Sequence, residues 1–499
     1  MGPAAQPPLT RTVVRGAALS TVGFVATQVM TMAAYVVLAR LASPSIFGAF
    51  AAASIIVTTG KFLTESGMTA ALVRRPGAID AAAATATASS FISGVLLSLL
   101  ALALSPAVGA FFQSAQIGEV AAALSGLLFL NAAAVVPGAL LQRHLSLRPR
   151  LIAEPLAAAV LGVASGLALA AGLGVWGLVV GAYASALVRA TSMWLLGGWL
   201  PRFADASWAL WRDLARYARH VVASEALSHT TSIVTTAIVG RGLGTAPLGQ
   251  FRYGWRMVSA GASVTGAGGY LLLPAFSRIA AEPERFRNAF ERSMRVVALT
   301  AFPFSFLFLA FGEPMAILLF GDVWAESGRV AMALSGVVAF RAVGFVSSET
   351  LKAAGRPDIL PKTHGLSALV TIFLLLAFLP FGPVGVGLGI SIGMASSAFY
   401  ALVRAAGVVG SSAGVVLRQL STPATAGSAA AVVTLALDRF ALHAGSRSEA
   451  LGFGILSLEM LLGAFIYLVL VPALSKEAAV ELRAIRDRLV PRLWTSNRA

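Results

Sequence analysis

Ala39-Arg40-Leu41-Ala42-Ser43-Pro44-Ser45-Ile46-Phe47-Gly48-Ala49-Phe50 is the stretch from which the rest of the chain is read. Its Arg, Gly and Phe return in Gly240-Arg241 through Gly249-Gln250-Phe251, at an offset of 201. Farther along the offset becomes 208: Pro106 meets Pro314, Phe112 meets Phe320, and Arg148-Pro149 meets Arg356-Pro357. Gly174, Gly177 and Gly181 meet Gly382, Gly385 and Gly389 at that same offset. Each match is weak alone, but their shared order and near-constant spacing mark an internal duplication.

The repeated unit is apolar. Of the 499 residues 58% are hydrophobic and 12% charged, whereas a soluble domain carries roughly a quarter charged residues. Mean hydropathy is +0.83. Apolar runs of about twenty residues recur throughout, long enough to cross a hydrocarbon core of about 30 Å. Within lipid each segment must satisfy its own backbone polar groups, so the runs are read as helices. The expected fold class is all-α: a polytopic membrane protein of about fourteen spans, at 16–39, 46–70, 82–105, 119–141, 151–173, 175–197, 217–240, 248–274, 290–311, 327–351, 359–380, 384–403, 424–443 and 450–471. Spans 1–6 and 7–12 are the two copies. Six is even, so both copies enter the membrane from the same side, related by an axis along the membrane normal. The domain reading is an N-terminal lobe at 1–200, a C-terminal lobe at 201–410, two extra helices at 411–472 and a cytoplasmic amphipathic tail at 473–499.

Basic residues set the orientation. Arg74, Arg75, Arg143, Arg148, Arg150, Arg202, Arg212, Arg278, Arg285, Arg287, Lys352, Arg356 and Lys362 fall at even-to-odd connections. The odd-to-even connections hold few, among them Arg40, Arg241, Arg439 and Arg447. Both termini are therefore expected in the cytoplasm. The net charge of +16 is explained by this bias, and no aromatic-interleaved basic domain points to nucleic acid. The tail places Leu482, Ile485 and Leu489 on one stripe, as for a helix lying on the cytoplasmic membrane surface.

Zero cysteines exclude disulfides, thiolate metal sites and cysteine nucleophiles. The five histidines form no metal-binding spacing, so neither metal nor cofactor is expected. The start of the chain carries no charge before Arg11, and its first apolar run is too long for a cleaved signal.

Several local sequences resemble the polysaccharide transporter branch of the multidrug/oligosaccharidyl-lipid/polysaccharide flippase superfamily. They are Ala39-Arg40-Leu41 with Ser43-Pro44 and Phe47-Gly48, then Leu273-Pro274-Ala275-Phe276-Ser277-Arg278. Leu319-Phe320-Gly321 with Trp324, Ala354-Gly355-Arg356-Pro357, and Gly382 with Val384-Gly385-Val386-Gly387 complete the series. The resemblance covers nearly the whole chain. It implies a V-shaped pair of six-helix lobes that moves undecaprenyl-pyrophosphate-linked oligosaccharide units across the bacterial cytoplasmic membrane. It also implies a polysaccharide polymerase and glycosyltransferases as partners. A cation-coupled multidrug or metabolite exporter and a lipid II flippase, both of the same superfamily, are the competing readings. A membrane glycosyltransferase is disfavoured because the outward connections are short.

Ionisable residues within spans are functional candidates because lipid makes them costly. Lys61 and Glu65, Glu225 and His229, and Arg252 and Arg256 are each four apart, hence on one helix face. Arg341 and Glu349 share the tenth span. The repeat does not duplicate these charges: Arg252 and Arg256 correspond to Ala51 and Ile55, and Arg341 to Ala133. Arginine's planar fork suits a pyrophosphate. Arg252, Arg256 and Arg341, with Lys61, are therefore read as a cationic track for that group. Glu225, His229, Glu65 and Glu349 are read as candidates for proton or ion coupling. The competing structural reading has Arg256 and Arg341 neutralising Glu225 or Glu349, while Arg252 snorkels to the outer interface. Gln28 and Asn131 are expected to bond across helices.

Overall fold

The computed structural model describes the backbone of residues 9–75, 79–144, 146, 148–266 and 272–489. Side chains are described there too, apart from those of 9–22, 62–67, 70, 74, 150, 217, 219–228, 264–266 and 484–489. Every element among these residues is helical. The chain divides into two compact units, Met1–Gly249 and Gln250–Ala499.

In the first unit lie α1 (Leu9–Leu41), α2 (Pro44–Ala53), α3 (Ile55–Arg74), α4 (Asp80–Phe111), α5 (Ala115–Leu124), α6 (Leu127–Arg143), α7 (Glu154–Ala170), α8 (Val175–Gly197) and α9 (Trp208–Leu243). The helix α10 (Thr245–Gly266) runs from the end of that unit into the second. The second continues with α11 (Leu272–Ile279), α12 (Pro283–Phe320), α13 (Ala325–Ala333), α14 (Gly336–Ala353), α15 (Leu360–Phe378) and α16 (Gly382–Val408). It closes with α17 (Ala413–Leu437), α18 (Glu449–Leu474) and α19 (Lys476–Leu489).

Ten helical stretches among the described residues are long and apolar enough to cross a membrane, one of which, Pro357–Val408, holds both α15 and α16. Their burial is the reverse of a soluble bundle's. Small residues such as Ala82, Ala83 and Ala86 are buried, while Ile92, Leu96 and Leu99 of the same helix are exposed. Lipid solvates large side chains as well as a neighbouring helix does, so helices meet along small residues that allow close backbone approach.

Three apolar runs expected as single spans are broken. Between α2 and α3 the Ser54 hydroxyl donates to the Phe50 carbonyl at 2.6 Å, and between α5 and α6 Ser125 donates to Ala122 at 2.7 Å. Such back-bonding competes with the regular ladder and bends helices. The third break, at Leu334–Ser335, separates α13 from α14. Apolar periodicity carries no signal for these bends.

The 208-residue spacing recurs in the helix boundaries. At the 208 offset, α4 to α8 correspond closely to α12 to α16, including the broken pairs α5–α6 and α13–α14. Within each unit the packing also repeats: α7 on α8 and α4 on α6 in the first, α15 on α16 and α12 on α14 in the second. Gly174 (φ 55°) and Gly382 (φ 72°) end the same hairpin loop, and Gln113 (φ 55°) pairs with Gly321 (φ 101°). These left-handed conformations are cheap for glycine and set the turn.

At the 201 offset the correspondence is a mutual contact. A side chain added at Gly48 would strike the backbone carbonyl of Thr245, and one at Gly249 that of Pro44. Each partner position is the other's repeat equivalent, and only glycine permits the approach.

The tail helix is held by protein contacts: α19 packs on α12 and α18. Arg292 pairs with Glu481 at 2.9 Å, Arg295 pairs with Glu477, and Leu482 packs beside Tyr467, Val471 and Ala478. The 38-residue α12 is roughly 57 Å long, more than the hydrocarbon core requires, so its basic first turns are available for this docking.

Candidate functional site: charges on the apolar helices

Helix α10 is oriented by its buried face. The Gln250 amide donates to the Val323 carbonyl at 2.7 Å, and its oxygen accepts from Ser327 N at 2.9 Å and Ser327 Oγ at 2.6 Å. Tyr253 is buried against Trp324, ring centroids 4.0 Å apart, and meets Phe320 edge-on at 5.2 Å. With Gln250 and Tyr253 held inward, Arg252 is exposed and Arg256 half-buried, and both engage neighbouring groups. The Phe320-Gly321…Trp324 motif is thus a structural corner that aims the α10 arginines.

Helix α14 buries Val338, Ala342, Val346 and Glu349. Arg341 and Phe345 are exposed, on the face continued by Lys352. Arg341 makes no hydrogen bond or ion pair among the described residues, so it does not neutralise Glu349. The buried Glu349 carboxylate is instead paired with Lys352 Nζ at 2.7 Å, one turn along the same helix. Short-range pairing within a helix costs less chain entropy than a distant partner, and sequence depth alone does not distinguish the two.

The other four candidates lie on two helices that run together in the first unit. Helix α9 packs along α3 and α4. Its start is pinned by Ser207 N to Thr85 Oγ1 at 3.1 Å and Trp211 Nε1 to Ser89 Oγ at 3.0 Å. Arg75 at the end of α3 pairs with Asp213 on α9 at 2.7 Å. Arg143 caps the last carbonyls of α3, donating to Leu72 at 3.3 Å, to Val73 at 3.4 Å and to Arg75, and so satisfies acceptors a helix end leaves open.

These contacts set the register. Counting equally from the Arg75–Asp213 bridge along antiparallel α3 and α9 brings Lys61 level with Leu227, between Glu225 and His229. Lys61 and His229 both have partners. The side chains of Glu65 and Glu225 lie outside the described residues. The fold sets the helix of Glu225 beside that of Lys61 and Glu65.

Other intramembrane groups were passed over. Arg189 on α8 bonds to Glu154 on α7 at 3.2 Å, and Glu459 on α18 is fully buried. The rule that singled out Arg341 applies equally to them. Asn131 corrects an expectation: its amide donates to Leu127 O at 2.8 Å, inside its own helix rather than across helices. Among the described residues no cluster of His, Asp and Glu is placed to hold a metal ion.

Helices of this length, order and packing define an all-α polytopic membrane protein. The lipid II flippase MurJ, in an inward closed conformation, superposes with a TM-score of 0.75 at 13% identity, over 92% of this chain and 99% of that one. An inward-facing multidrug resistance transporter of the MATE family superposes at 0.61 and 16% identity, over 77% and 94%. At such identities the likeness is one of fold. The chain belongs to the polysaccharide biosynthesis protein family, whose model matches residues 37–329. Two relatives carry the comparison further. The succinoglycan biosynthesis transport protein ExoT of Rhizobium meliloti (strain 1021) is 27% identical over 306 residues, 59% of this chain and 60% of that protein. A probable low-salt glycan biosynthesis flippase of Haloferax volcanii is 22% identical over 187 residues, 37% of this chain and 40% of that protein.

Proposed function

We propose that this chain is a flippase for undecaprenyl-pyrophosphate-linked oligosaccharide units, acting by alternating access to supply a cell-surface polysaccharide. Family membership supports the class of cargo. The observation that carries the reading is the set of arginines on α10 and α14: Arg341 stands exposed on α14 with no acidic partner among the described residues. A lipid pyrophosphate brings the negative charge and acceptor oxygens such a cation requires. A drug exporter would need no such anion site, and a lipid II flippase would share it. Expression in strains lacking either an O-unit flippase or the lipid II flippase separates these readings. Rescue of surface polysaccharide alone is expected; rescue of the lipid II strain alone would favour the second reading.

The transporter is proposed to hold fourteen spans, as six-helix repeats at 1–200 and 201–410 followed by a helix pair at 411–472, in the bacterial cytoplasmic membrane. Both termini are then cytoplasmic. Reporter fusions at Ser446 and Arg285 are expected to fall on opposite sides, the first outside and the second in the cytoplasm. The same side for both would contradict the arrangement.

A further inference from the structure

Helix α18 contains a charge-bearing residue that its surroundings do not compensate. Glu459 is 0% exposed, and neither carboxyl oxygen has a hydrogen-bond partner among the described residues. It lies ten residues into α18, about 15 Å along the helix and so near the middle of a hydrocarbon core of about 30 Å. Leu456 and Met460 beside it pack with Ala310 and Phe311 of α12 and Ala431 of α17.

Nearby hydroxyls are already spent. Thr434 donates to Ala430 O at 2.8 Å, Ser457 to Phe453 O at 2.7 Å, and Tyr467 to Leu299 O at 3.1 Å. Charged groups on the packed elements are occupied or distant along the helices. On α12, Glu313 pairs with Arg329 at 2.9 Å, and Arg292 and Arg295 hold α19 through Glu481 and Glu477. Arg418 sits toward the opposite end of α17, and Glu449 opens α18. Arg439, His443 and Arg447 lie in the connection between α17 and α18. Another acid, Asp438, stands at the end of α17, where its Oδ1 accepts from Ala444 N at 2.7 Å.

An ionised carboxylate without a donor or counter-ion in an apolar interior is among the costliest arrangements a membrane helix can hold. Glu349, paired with Lys352 at 2.7 Å, shows how this chain accommodates a buried carboxylate elsewhere. A leucine or methionine would fill the position of Glu459 without that cost, so packing does not call for the acid.

We propose that Glu459 is a proton-binding site, held as the neutral acid in the conformation described and releasing its proton when α18 parts from α12 and α17. The half-buried Asp438 carboxylate, at the connection end of the same helix pair, is its route to water. The proton is the ligand; the link between its release and cargo movement rests on the transporter reading above.

The test uses the full-length chain reconstituted in lipid vesicles and two independent readouts. Infrared difference spectra of wild type against Glu459→Gln are expected to show a protonated-carboxyl band that only the wild type carries and that disappears on raising the pH. Absence of the band overturns the proposal, and so does a band that persists at every pH, the mark of a permanently neutral structural residue. Transport of a polyprenyl-pyrophosphate oligosaccharide is the second readout. The wild-type rate should vary with pH, by up to about tenfold per unit, whereas Glu459→Gln should be flat. Equal pH profiles in both proteins overturn the coupling. If neither protein transports, the flippase reading fails while the infrared band still decides the proton site. Glu459→Asp, which keeps the acid, serves if the glutamine variant does not fold.

Discussion

Arg341→Ala is expected to reduce export of lipid-linked glycan about 10–100-fold at unchanged membrane abundance, because one charge-assisted hydrogen-bonding group to an anion is worth roughly 1.5–3 kcal/mol. The prediction is sharp at this residue because Arg341 is exposed and has no ion-pair partner among the described residues. Truncating it strands no buried carboxylate among the described residues, so the folded protein should accumulate normally. Arg341→Lys keeps the charge and loses the planar fork, and should fall between the two. Arg256 behaves differently. It is half-buried and engaged by neighbouring groups, so Arg256→Ala should lower both abundance and specific activity. Complementation of a flippase-deficient strain, normalised to membrane protein level, measures both quantities. Full specific activity in Arg341→Ala would remove that residue from the cargo path.

The second large effect is expected at the contact between α2 and the start of α10. Gly48→Ala and Gly249→Ala each drive a methyl group into a backbone carbonyl, of Thr245 and Pro44 respectively. A carbonyl in a helix cannot rotate away as a side chain would, so the cost is at least the roughly 1–3 kcal/mol of core overpacking. Gly48→Val should leave almost no folded protein in detergent extracts examined by size-exclusion chromatography. Gly365→Ala on α15 is the matched control: nothing lies within 4 Å of the added atom. There alanine should stabilise by roughly 0.5–1 kcal/mol through helix propensity, raising the unfolding temperature instead of lowering it. A Gly48→Ala protein as abundant and as stable as wild type would contradict the close contact.

Much of this architecture is written in features that act locally. Apolar runs specify helices because lipid leaves the backbone no alternative. The glycines at 174 and 382 mark a turn because their left-handed conformation suits few other residues. What stayed hidden depends on partners far apart in the chain or on a single hydroxyl. The bends at Ser54 and Ser125 come from side-chain bonds to the preceding turn, which leave the apolar pattern unchanged. The association of α9 with α3 and α4 is built by Arg75–Asp213 and by the Trp211–Ser89 bond, pairings between residues more than a hundred positions apart. At the site, residue types were legible and pairings were not. Lys352 was read as a topology signal, yet it satisfies Glu349. Glu459 was as visible in the sequence as Arg341, and only its unpartnered burial sets it apart from the acids that form ion pairs.

The most direct test of the proposed function is transfer of a polyprenyl-pyrophosphate oligosaccharide between leaflets of vesicles that contain this chain alone. A membrane-impermeant glycosidase added outside reports which leaflet the glycan occupies. The protected half of the glycan is expected to become accessible with wild-type protein, and to do so about 10–100-fold more slowly with Arg341→Ala. Protection that persists with folded wild-type protein, in vesicles where a cationic drug is transported, would contradict the proposed function.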